Sequence, residues 1–403
     1  MSRLKPPALE NDIGIGCYKT DTEGIGGRIK QKPEEFIVEE VTPEGIVLEI
    51  GKNAITTPAG RLGPYLHCTL EKRNWDTMRA VKEIAGRLGI SQKRVGYAGT
   101  KDKRALTTQR ISVYGKTIED VSAVYLADIT LRDFEYEDDG IGLGSLGGNR
   151  FTIVVRGIML DEGTARGRIE AVSNGIASGV PNFFGVQRFG TTRPITHLVG
   201  REMVKGNIEG AVMIYLTMAF DEENSEASAC RKELAETRDI KAALKNFPRN
   251  MGYELAMLNH LAARPGDYAG AIMALPLGLG KMFVHAYQSY VFNRSLSRYI
   301  EAGLAVERLP LVGFESILDE YTAMILDEEN VTPAEFRIRG MRDYSSKGDI
   351  RDCYEPVEGF KLIEIRPDEA AGEGNAAVLR FTLRPGAYAT TLLREFMKNE
   401  YWK

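Results

Sequence analysis

The chain has 403 residues and a formal net charge of −4, with 43% of its residues hydrophobic and 27% charged. Because single cores rarely grow beyond about 250–300 residues, this length predicts two domains or one domain with a large insertion, and the composition excludes a globally disordered chain. The four cysteines form no C-x-x-C pair, the four histidines are dispersed, and no apolar stretch reaches the roughly 20 residues of a membrane span. With no signal-peptide pattern at the start, we expect a reduced, cytoplasmic protein without a metal site or a membrane partner.

The first part of the chain mixes predicted strands with predicted helices. Alternation of apolar and polar residues predicts strands over residues 28–41, 46–50 and 65–71. A helix is predicted next, with Asn74 as its N-cap, apolar residues at helical spacing over 78–88, and Gly89 at its end. Strands mixed with helices indicate an α/β or α+β layer structure.

A basic loop follows this helix. A short apolar run over 95–98 and an alternating strand over 107–113 enclose the sequence Gly-Thr-Lys-Asp-Lys-Arg, which places Asp102 at a strand-to-loop junction. Residues 91–116 contain one acid, Asp102, and seven basic residues, a local sum of +6. The basic residues are Lys93, Arg94, Lys101, Lys103, Arg104, Arg110 and Lys116. Taken alone, this excess fits a phosphate-facing surface and a solvated lysine-rich loop about equally well.

Two glycine patterns could indicate a nucleotide cofactor, and both fail in context. Gly142-x-Gly144-x-x-Gly147 formally matches a dinucleotide-binding fingerprint, but an acidic stretch precedes it and a β-rich run over 151–155 follows where a helix should begin. Gly99-Thr100-Lys101 lacks the leading glycine of a Walker A loop. We therefore predict a plain glycine-rich loop at 140–148 and no nucleotide cofactor.

The second half of the chain changes character. Residues 206–351 are mainly helical in pattern, with one amphipathic helix over 285–300 that Gly303 closes. Strands over 360–365 and 377–383 are expected to rejoin the first sheet, followed by a terminal helix over 389–397. We predict a discontinuous catalytic domain, residues 1–206 and 352–403, and a helical insertion domain, residues 207–351.

Five segments of this chain stand out in order: Lys32-Pro-Glu-Glu-Phe36-Ile-Val-Glu39-Glu, Gly96-Tyr-Ala-Gly-Thr-Lys-Asp102-Lys-Arg-Ala-Leu-Thr-Thr-Gln109, Gly148-Asn-Arg-Phe151, Pro181-Asn182-Phe-Phe184-Gly-Val-Gln-Arg188-Phe189-Gly and Leu383-Arg-Pro-Gly-Ala-Tyr388-Ala-Thr. Together they resemble the TruD-type tRNA pseudouridine synthases, and the chain looks like an archaeal member of that family. The resemblance implies an α/β (α+β) pseudouridine synthase domain with a mixed, largely antiparallel sheet, interrupted by a mostly helical insertion. It also implies isomerisation of uridine in tRNA, typically at position 13, without metal or organic cofactor.

By this resemblance, Asp102 is the catalytic carboxylate. Pseudouridine formation breaks the N1–C1′ bond, rotates the base and rejoins it through C5, and one carboxylate can serve as nucleophile or as base at the sugar. Which of the two roles applies stays open. The structural alternative is a loop aspartate paired with Lys101, Lys103 or Arg104.

The resemblance also suggests how the substrate is held. A uridine in folded RNA must be unstacked before Asp102 can reach it, which requires a flat side chain and hydrogen-bonding groups for the base. The resemblance implies that Asn182 orients Asp102 or the uridine, that Phe184 stacks on the base, and that Phe36 and Tyr388 lie near the nucleotide. Alternatively, these aromatic residues belong to the core.

Charged and polar residues complete the predicted site. Gln109 is expected to support it and Arg188 to bind phosphate, and we expect tRNA to enter a cleft between the two domains, lined by Lys101, Lys103, Arg104 and Arg188. One chain should suffice for catalysis, as a monomer or a weak homo-oligomer. Two rival functions stay open: an RNA-binding protein without catalysis, and another RNA-modifying enzyme such as a methyltransferase.

Overall fold

The computed structural model describes residues 4–53, 63–221 and 223–399. The strands are β1 (Phe36–Val41), β2 (Tyr65–Arg73), β3 (Val95–Tyr97), β4 (Leu106–Tyr114), β5 (Ile129–Glu137), β6 (Gly148–Ile158), β7 (Val180–Pro181), β8 (Arg308–Leu311), β9 (Asp349–Asp352), β10 (Tyr354–Glu355), β11 (Glu358–Pro367) and β12 (Asn375–Leu383).

The helices are α1 (Ala8–Asp12), α2 (Thr77–Arg87), α3 (Ile118–Ser122), α4 (Glu162–Gly175), α5 (Thr196–Val204), α6 (Ile208–Thr217), α7 (Ser225–Thr237), α8 (Ile240–Asn246), α9 (Gly252–Ala263), α10 (Tyr268–Met273), α11 (Leu277–Ala302), α12 (Glu320–Glu329) and α13 (Ala389–Met397). These elements form two compact units: a sheet unit, residues 20–180 and 355–403, and a helical unit, residues 1–19 and 181–354.

The sheet unit is built on one eight-stranded sheet. Its strand order is β11-β12-β6-β1-β4-β2-β5, and β3 also pairs with β4. Only the β1–β4 pair is parallel among the described strand pairs; its neighbours are antiparallel. The predicted mixed, largely antiparallel sheet is thus confirmed, as is the expectation that the last two long strands rejoin it.

Helices cover this sheet in two separate cores. One core packs α4 and α13 against β6 and β12, with Ile169, Leu379 and Phe396 among its buried residues. The other packs α2 against β2 and β4, with Ile84 and Ile111 buried. The sheet is therefore stabilised on both sides of its central pair β1–β4 by burial of apolar surface.

Two local predictions in this unit are wrong. Residues 46–50 form no strand; they return towards β1 through single hydrogen bonds such as that from the Leu48 N–H to the Glu40 carbonyl. The N-cap of α2 is Asp76, whose carboxylate accepts from the Arg79 N–H, while Asn74 adopts a left-handed conformation with φ of 56°. Asn and Asp suit both a cap and a left-handed turn, so the sequence pattern did not distinguish the two positions.

The helical unit is organised around α11, the longest of the described helices. Gly303 follows it with φ of 67°, as predicted for a glycine that ends a helix. Helix α5 packs closely on α11, since a Cβ atom at Gly200 would lie 2.0 Å from the Phe283 carbonyl oxygen. The short pair β8–β9 completes the unit. No helix in the described ranges is both long and apolar enough to cross a membrane.

The compact units divide the chain at other positions than the predicted domain borders 206/207 and 351/352. The helical unit begins at Pro181 and includes residues 1–19. The packing of α5 on α11 and the bonds from the Asn293 side chain to the Phe184 and Ile13 backbone account for this. Neither contact leaves a signal in the hydrophobic pattern, and the assignment of catalytic and insertion domains stays a prediction.

Candidate functional site

Asp102 lies in the loop between β3 and β4, and its carboxylate is accessible to solvent. Its side chain is 35% exposed, and its Oδ1 lies 2.6 Å from the ammonium nitrogen of Lys30. The predicted alternative, in which Asp102 pairs with Lys101, Lys103 or Arg104, is therefore wrong, because its partner is Lys30. One oxygen of the carboxylate is held by Lys30, and the group is otherwise accessible to solvent. A group that reacts with a bound substrate must be accessible in this way.

Lys30 reaches Asp102 from a turn that precedes β1. Its backbone is left-handed, with φ of 58°, and its ammonium group also lies 4.0 Å from the centre of the Phe36 ring. Phe36 is only 1% exposed and packs edge-on against Phe151. Phe36 therefore packs in the core next to the Lys30 ammonium group, and its predicted contact with the nucleotide stays a prediction.

A buried polar cluster anchors the Asp102 loop from beneath. The Thr77 hydroxyl accepts from the Lys101 N–H at 3.0 Å and donates to Oε1 of Gln109 at 3.0 Å. The Gln109 amide in turn donates to the Gly99 carbonyl at 3.0 Å. Gln109 is fully buried, so it supports the loop through these contacts.

Lys72 adds a charge to this cluster. Its buried ammonium group donates to the carbonyl oxygen of Trp75 at 2.7 Å and to that of Asp102 at 3.1 Å. Burial lowers the pKa of Lys72 to about 8, although the nearby carboxylates of Asp102 and Asp76 favour its charged form. The main chain is therefore held at two points close to the Asp102 side chain: Thr77 accepts from the Lys101 N–H, one residue earlier, and Lys72 donates to the Asp102 carbonyl.

The prediction that Lys101 lines a phosphate-binding cleft is corrected. Its ammonium group forms a 2.6 Å ion pair with Glu40, and the two side chains are only 4% and 1% exposed. Arg110 of the same basic stretch is also buried and donates to Glu135. Lys103 and Arg104, by contrast, directly follow Asp102 and are exposed, which leaves them accessible to a phosphate.

Asn182 and Phe184 lie in the helical unit, at the start of the segment that ends in Arg188. The Asn182 amide donates to the Asp352 carbonyl at 3.0 Å, and its oxygen accepts from Arg351 at 2.5 Å. The Arg351 guanidinium also lies 4.0 Å from the centre of the Phe184 ring. Arg351 therefore joins the amide and the ring, two of the predicted binding groups, in one arrangement.

Asn293 of α11 fixes the backbone of Phe184 from the other side. Its Oδ1 accepts from the Phe184 N–H at 2.9 Å, and its amide donates to the Phe184 carbonyl at 2.9 Å. The Phe184 ring is 7% exposed and meets Phe292 edge-on. Arg188 donates to the Ser289 hydroxyl at 3.3 Å, and its guanidinium lies 5.8 Å from the Phe184 ring centre.

Tyr388 lies in the sheet unit, at the N-cap of α13, where its side chain is partly exposed. The glycine-rich stretch 140–148 leads directly into β6, as predicted, so no helix begins there to receive a nucleotide phosphate. Within residues 4–53, 63–221 and 223–399, no group of three or more His, Cys, Asp or Glu side chains is placed to hold a metal ion.

The sequence prediction missed Lys30, Lys72, Glu40, Arg351 and Asn293. For two of them the signal was present. Lys72 follows Leu66, Cys68 and Leu70 at a period of two in β2, and Glu40 follows Phe36 and Val38 in the same way in β1. A charged residue on the inward face of a strand requires a buried partner. The other three depend on long-range contacts, for which the sequence holds no local signal.

Comparison with known proteins identifies the family of this chain. Residues 12–312 and 308–396 match the family model described as tRNA pseudouridine synthase D (TruD). The chain therefore belongs to the tRNA pseudouridine synthase D (TruD) family, and the resemblance of its five motifs is confirmed.

Archaeal relatives and a solved structure extend this match over the full chain. A curated protein of Methanosarcina acetivorans, named for an expected tRNA pseudouridine synthase D activity, is 38% identical over 99% of this chain and 98% of its own length. A similarly named protein of Methanocaldococcus jannaschii is 39% identical over 96% and 99%. A crystal structure of a Methanosarcina mazei protein, assigned in the same way to TruD, superposes with a TM-score of 0.85 at 37% identity and 98% coverage of both chains.

Proposed function

We propose that this chain isomerises uridine to pseudouridine in tRNA, at position 13, with Asp102 as the catalytic carboxylate and without a cofactor. The observation that carries the proposal is the partly exposed Asp102 carboxylate, ion-paired to Lys30 and set in an anchored loop, in a member of the TruD family. The names of the relatives support tRNA as the substrate.

The chemistry needs few groups, and the loop offers them. The N1–C1′ bond must break, the free base must turn, and a C5–C1′ bond must form; the proton on C5 then leaves for solvent or a base, and N1 takes up a proton in its place. A carboxylate can attack the sugar as a nucleophile or remove a proton from it as a base, and Asp102 is placed for either role. Because one main-chain group on each side of the Asp102 side chain is held by a buried partner, its carboxylate needs little reorganisation to react.

Substrate contacts follow from exposure and charge. We propose that Lys103 and Arg104, which directly follow Asp102, bind phosphates of the substrate strand, so that tRNA affinity falls with added salt. In the helical unit, Phe184, Asn182 and Arg188 are proposed to contact RNA, as the resemblance of their segment implies. A tRNA substrate supports our proposal of a cytoplasmic location, and one chain, as a monomer or a weak homo-oligomer, is proposed as the active form.

The test compares wild type, Asp102→Asn and Asp128→Asn on unmodified tRNA, with pseudouridine mapped nucleotide by nucleotide. Asp128 is a matched control, because it is an exposed aspartate near a cation, Arg73, and its left-handed backbone tolerates asparagine. We expect product from wild type and from Asp128→Asn, and none from Asp102→Asn, which should still bind tRNA. No product from wild type on any tRNA, or equal product from Asp102→Asn, would overturn the proposal.

The position is tested separately. A tRNA transcript with cytidine in place of uridine 13 should give no product with wild-type enzyme. Product at another uridine of that transcript, at the rate seen on the parent tRNA, would contradict position 13 and leave the reaction class standing.

A further inference from the structure

Lys72 is a fully buried lysine in β2, and the reaction proposed above gives its ammonium group no direct part. It is 0% exposed, and its two hydrogen bonds go to main-chain carbonyl oxygens, those of Trp75 and Asp102. A lysine is rarely buried to this extent, because an ammonium group loses its hydration on burial. Its place beneath the Asp102 loop therefore needs a reason beyond packing.

Several charged side chains lie near the Lys72 ammonium group. The carboxylates of Asp102 and Asp76 attract its ammonium group, and the ammonium group of Lys101 repels it. Lys101 is neutralised by Glu40, and Asp102 by Lys30 on its exposed side. Lys72 is thus a fully buried positive charge next to Asp102, whereas Lys30, the other cation at this residue, is 19% exposed.

We propose that Lys72 is a positioning residue for the reaction, whose buried ammonium group fixes the Asp102 carbonyl and thereby the direction of the Asp102 carboxylate. This inference rests on the proposed role of Asp102. The Thr100–Lys101 peptide, one residue earlier, is also held, because the Lys101 N–H donates to Thr77. With the Asp102 carbonyl held by Lys72, the backbone at Asp102 has less freedom and the direction of its Cα–Cβ bond is restricted; Lys30 then sets the rotation of the side chain.

The size of the effect follows from the sensitivity of catalysis to geometry. A displacement of about 1 Å in a reacting group can lower a rate on the order of 100-fold. Since the Lys72 ammonium group is buried, it has no contact to offer to RNA, and its loss should leave tRNA affinity unchanged. We therefore expect Lys72→Met to lower the single-turnover rate at pH 7 by roughly 10- to 100-fold and to change the tRNA dissociation constant by less than about threefold.

A pH series separates positioning from a general structural role. Lys72 loses its proton as the pH rises through about 8. Its hydrogen bond to the Asp102 carbonyl is then no longer charge-assisted and becomes weaker. The wild-type rate should fall over this range, whereas Lys72→Met has no such proton to lose. Effects of pH on the RNA act on both proteins alike, so the ratio of the wild-type rate to the Lys72→Met rate should decrease between pH 7 and 9.5.

Two further variants complete the experiment. Lys82→Met removes an exposed lysine of α2 and should behave as wild type. Lys72→Gln retains N–H donors without the charge, so we expect a rate between those of wild type and Lys72→Met. Circular dichroism and thermal unfolding establish that each variant is folded, and filter binding gives the tRNA affinity.

Three outcomes would overturn the inference: a Lys72→Met rate within twofold of wild type at pH 7, a rate ratio that stays constant from pH 7 to 9.5, or failure of both Lys72 variants to fold. The last outcome would mean that Lys72 serves the fold as a whole. Failure of the proposed function is distinguishable, because it would appear as an inactive wild type or an active Asp102→Asn.

Discussion

The ammonium group of Lys30 lies 2.6 Å from Oδ1 of Asp102, although 72 positions separate the two residues in the sequence. Parallel pairing of β1 with β4 brings them together, since the turn before β1 then meets the loop before β4. The only acid in a basic stretch is thus paired with a lysine from outside that stretch, and its basic neighbours Lys103 and Arg104 stay exposed.

We predict that Lys30→Met lowers the single-turnover rate by roughly 10- to 100-fold, because it removes the charge-assisted bond that orients the carboxylate. Lys52→Met is the matched control: Lys52 also pairs with a carboxylate, that of Glu49, but is 72% exposed and lies in no proposed site. Pseudouridine formed per enzyme in a single turnover is the measurement. Equal rates for the two variants would show that the Lys30–Asp102 pair has no part in catalysis.

The buried Lys101–Glu40 pair is expected to matter for stability. Lys101→Met should lower the free energy of unfolding of the sheet unit by about 3–5 kcal/mol, because it leaves the Glu40 carboxylate buried without its counter-charge. The double variant Glu40→Gln/Lys101→Met should lose less than the sum of the two single variants, since no unpaired charge is left.

Urea unfolding of the four proteins gives the coupling energy. The exposed pair Arg166–Glu162, with side chains 44% and 59% exposed, is the comparison, and its coupling should stay below about 1 kcal/mol. Additive losses at Glu40 and Lys101 would contradict the assignment of a coupled buried pair.

Much of the fold could be predicted from the sequence, because period-two and helical patterns are local. The helix over 389–397 and the strand around residues 107–113 were predicted within about a residue. Residues 46–50 alternate like a strand, but only isolated backbone contacts return to β1, since pairing partners are set by the sheet and not by the segment.

Part of the candidate site could be proposed from the sequence, and the reason is physical. Asp102 and Phe184 belong to motifs that are continuous in sequence, so resemblance could propose them as site residues. Lys101 had the same signal, yet its charge is buried against Glu40, which only the register of β1 beside β4 determines. Lys30, Arg351 and Asn293 act across gaps of 72 to 169 residues, and no local pattern encodes those contacts.

Asn293 is predicted to set the conformation of the Phe184 segment. Its fully buried amide makes hydrogen bonds to the Phe184 N–H, the Phe184 carbonyl and the Ile13 carbonyl. Asn293→Ala should lower the free energy of unfolding of the helical unit by about 1–3 kcal/mol, because these buried backbone groups are then left without hydrogen-bond partners. Asn259→Ala, which removes an exposed amide contact within α9, should cost less than about 0.5 kcal/mol. Urea unfolding compares the two, and equal losses would contradict the role assigned to Asn293.

His197 is predicted to make the helical unit sensitive to acid. Its ring is 3% exposed, stacks on Tyr290 and meets Phe189 edge-on. Burial lowers the pKa of His197 to about 4, and the Arg201 charge acts in the same direction. The unfolded chain takes up a proton at this residue below its ordinary pKa of about 6.5, whereas the folded chain does not until about pH 4, so stability falls as the pH drops between those values.

The expected loss from this residue at pH 5, relative to pH 7, is about 2 kcal/mol. His197→Phe keeps an aromatic ring between Phe189 and Tyr290 and has no proton to take up, so the pH dependence of its stability should be smaller by that amount. The measurement is urea unfolding of both proteins at pH 7 and pH 5. If the variant loses as much stability as wild type between these pH values, His197 is not the group that takes up the proton on unfolding.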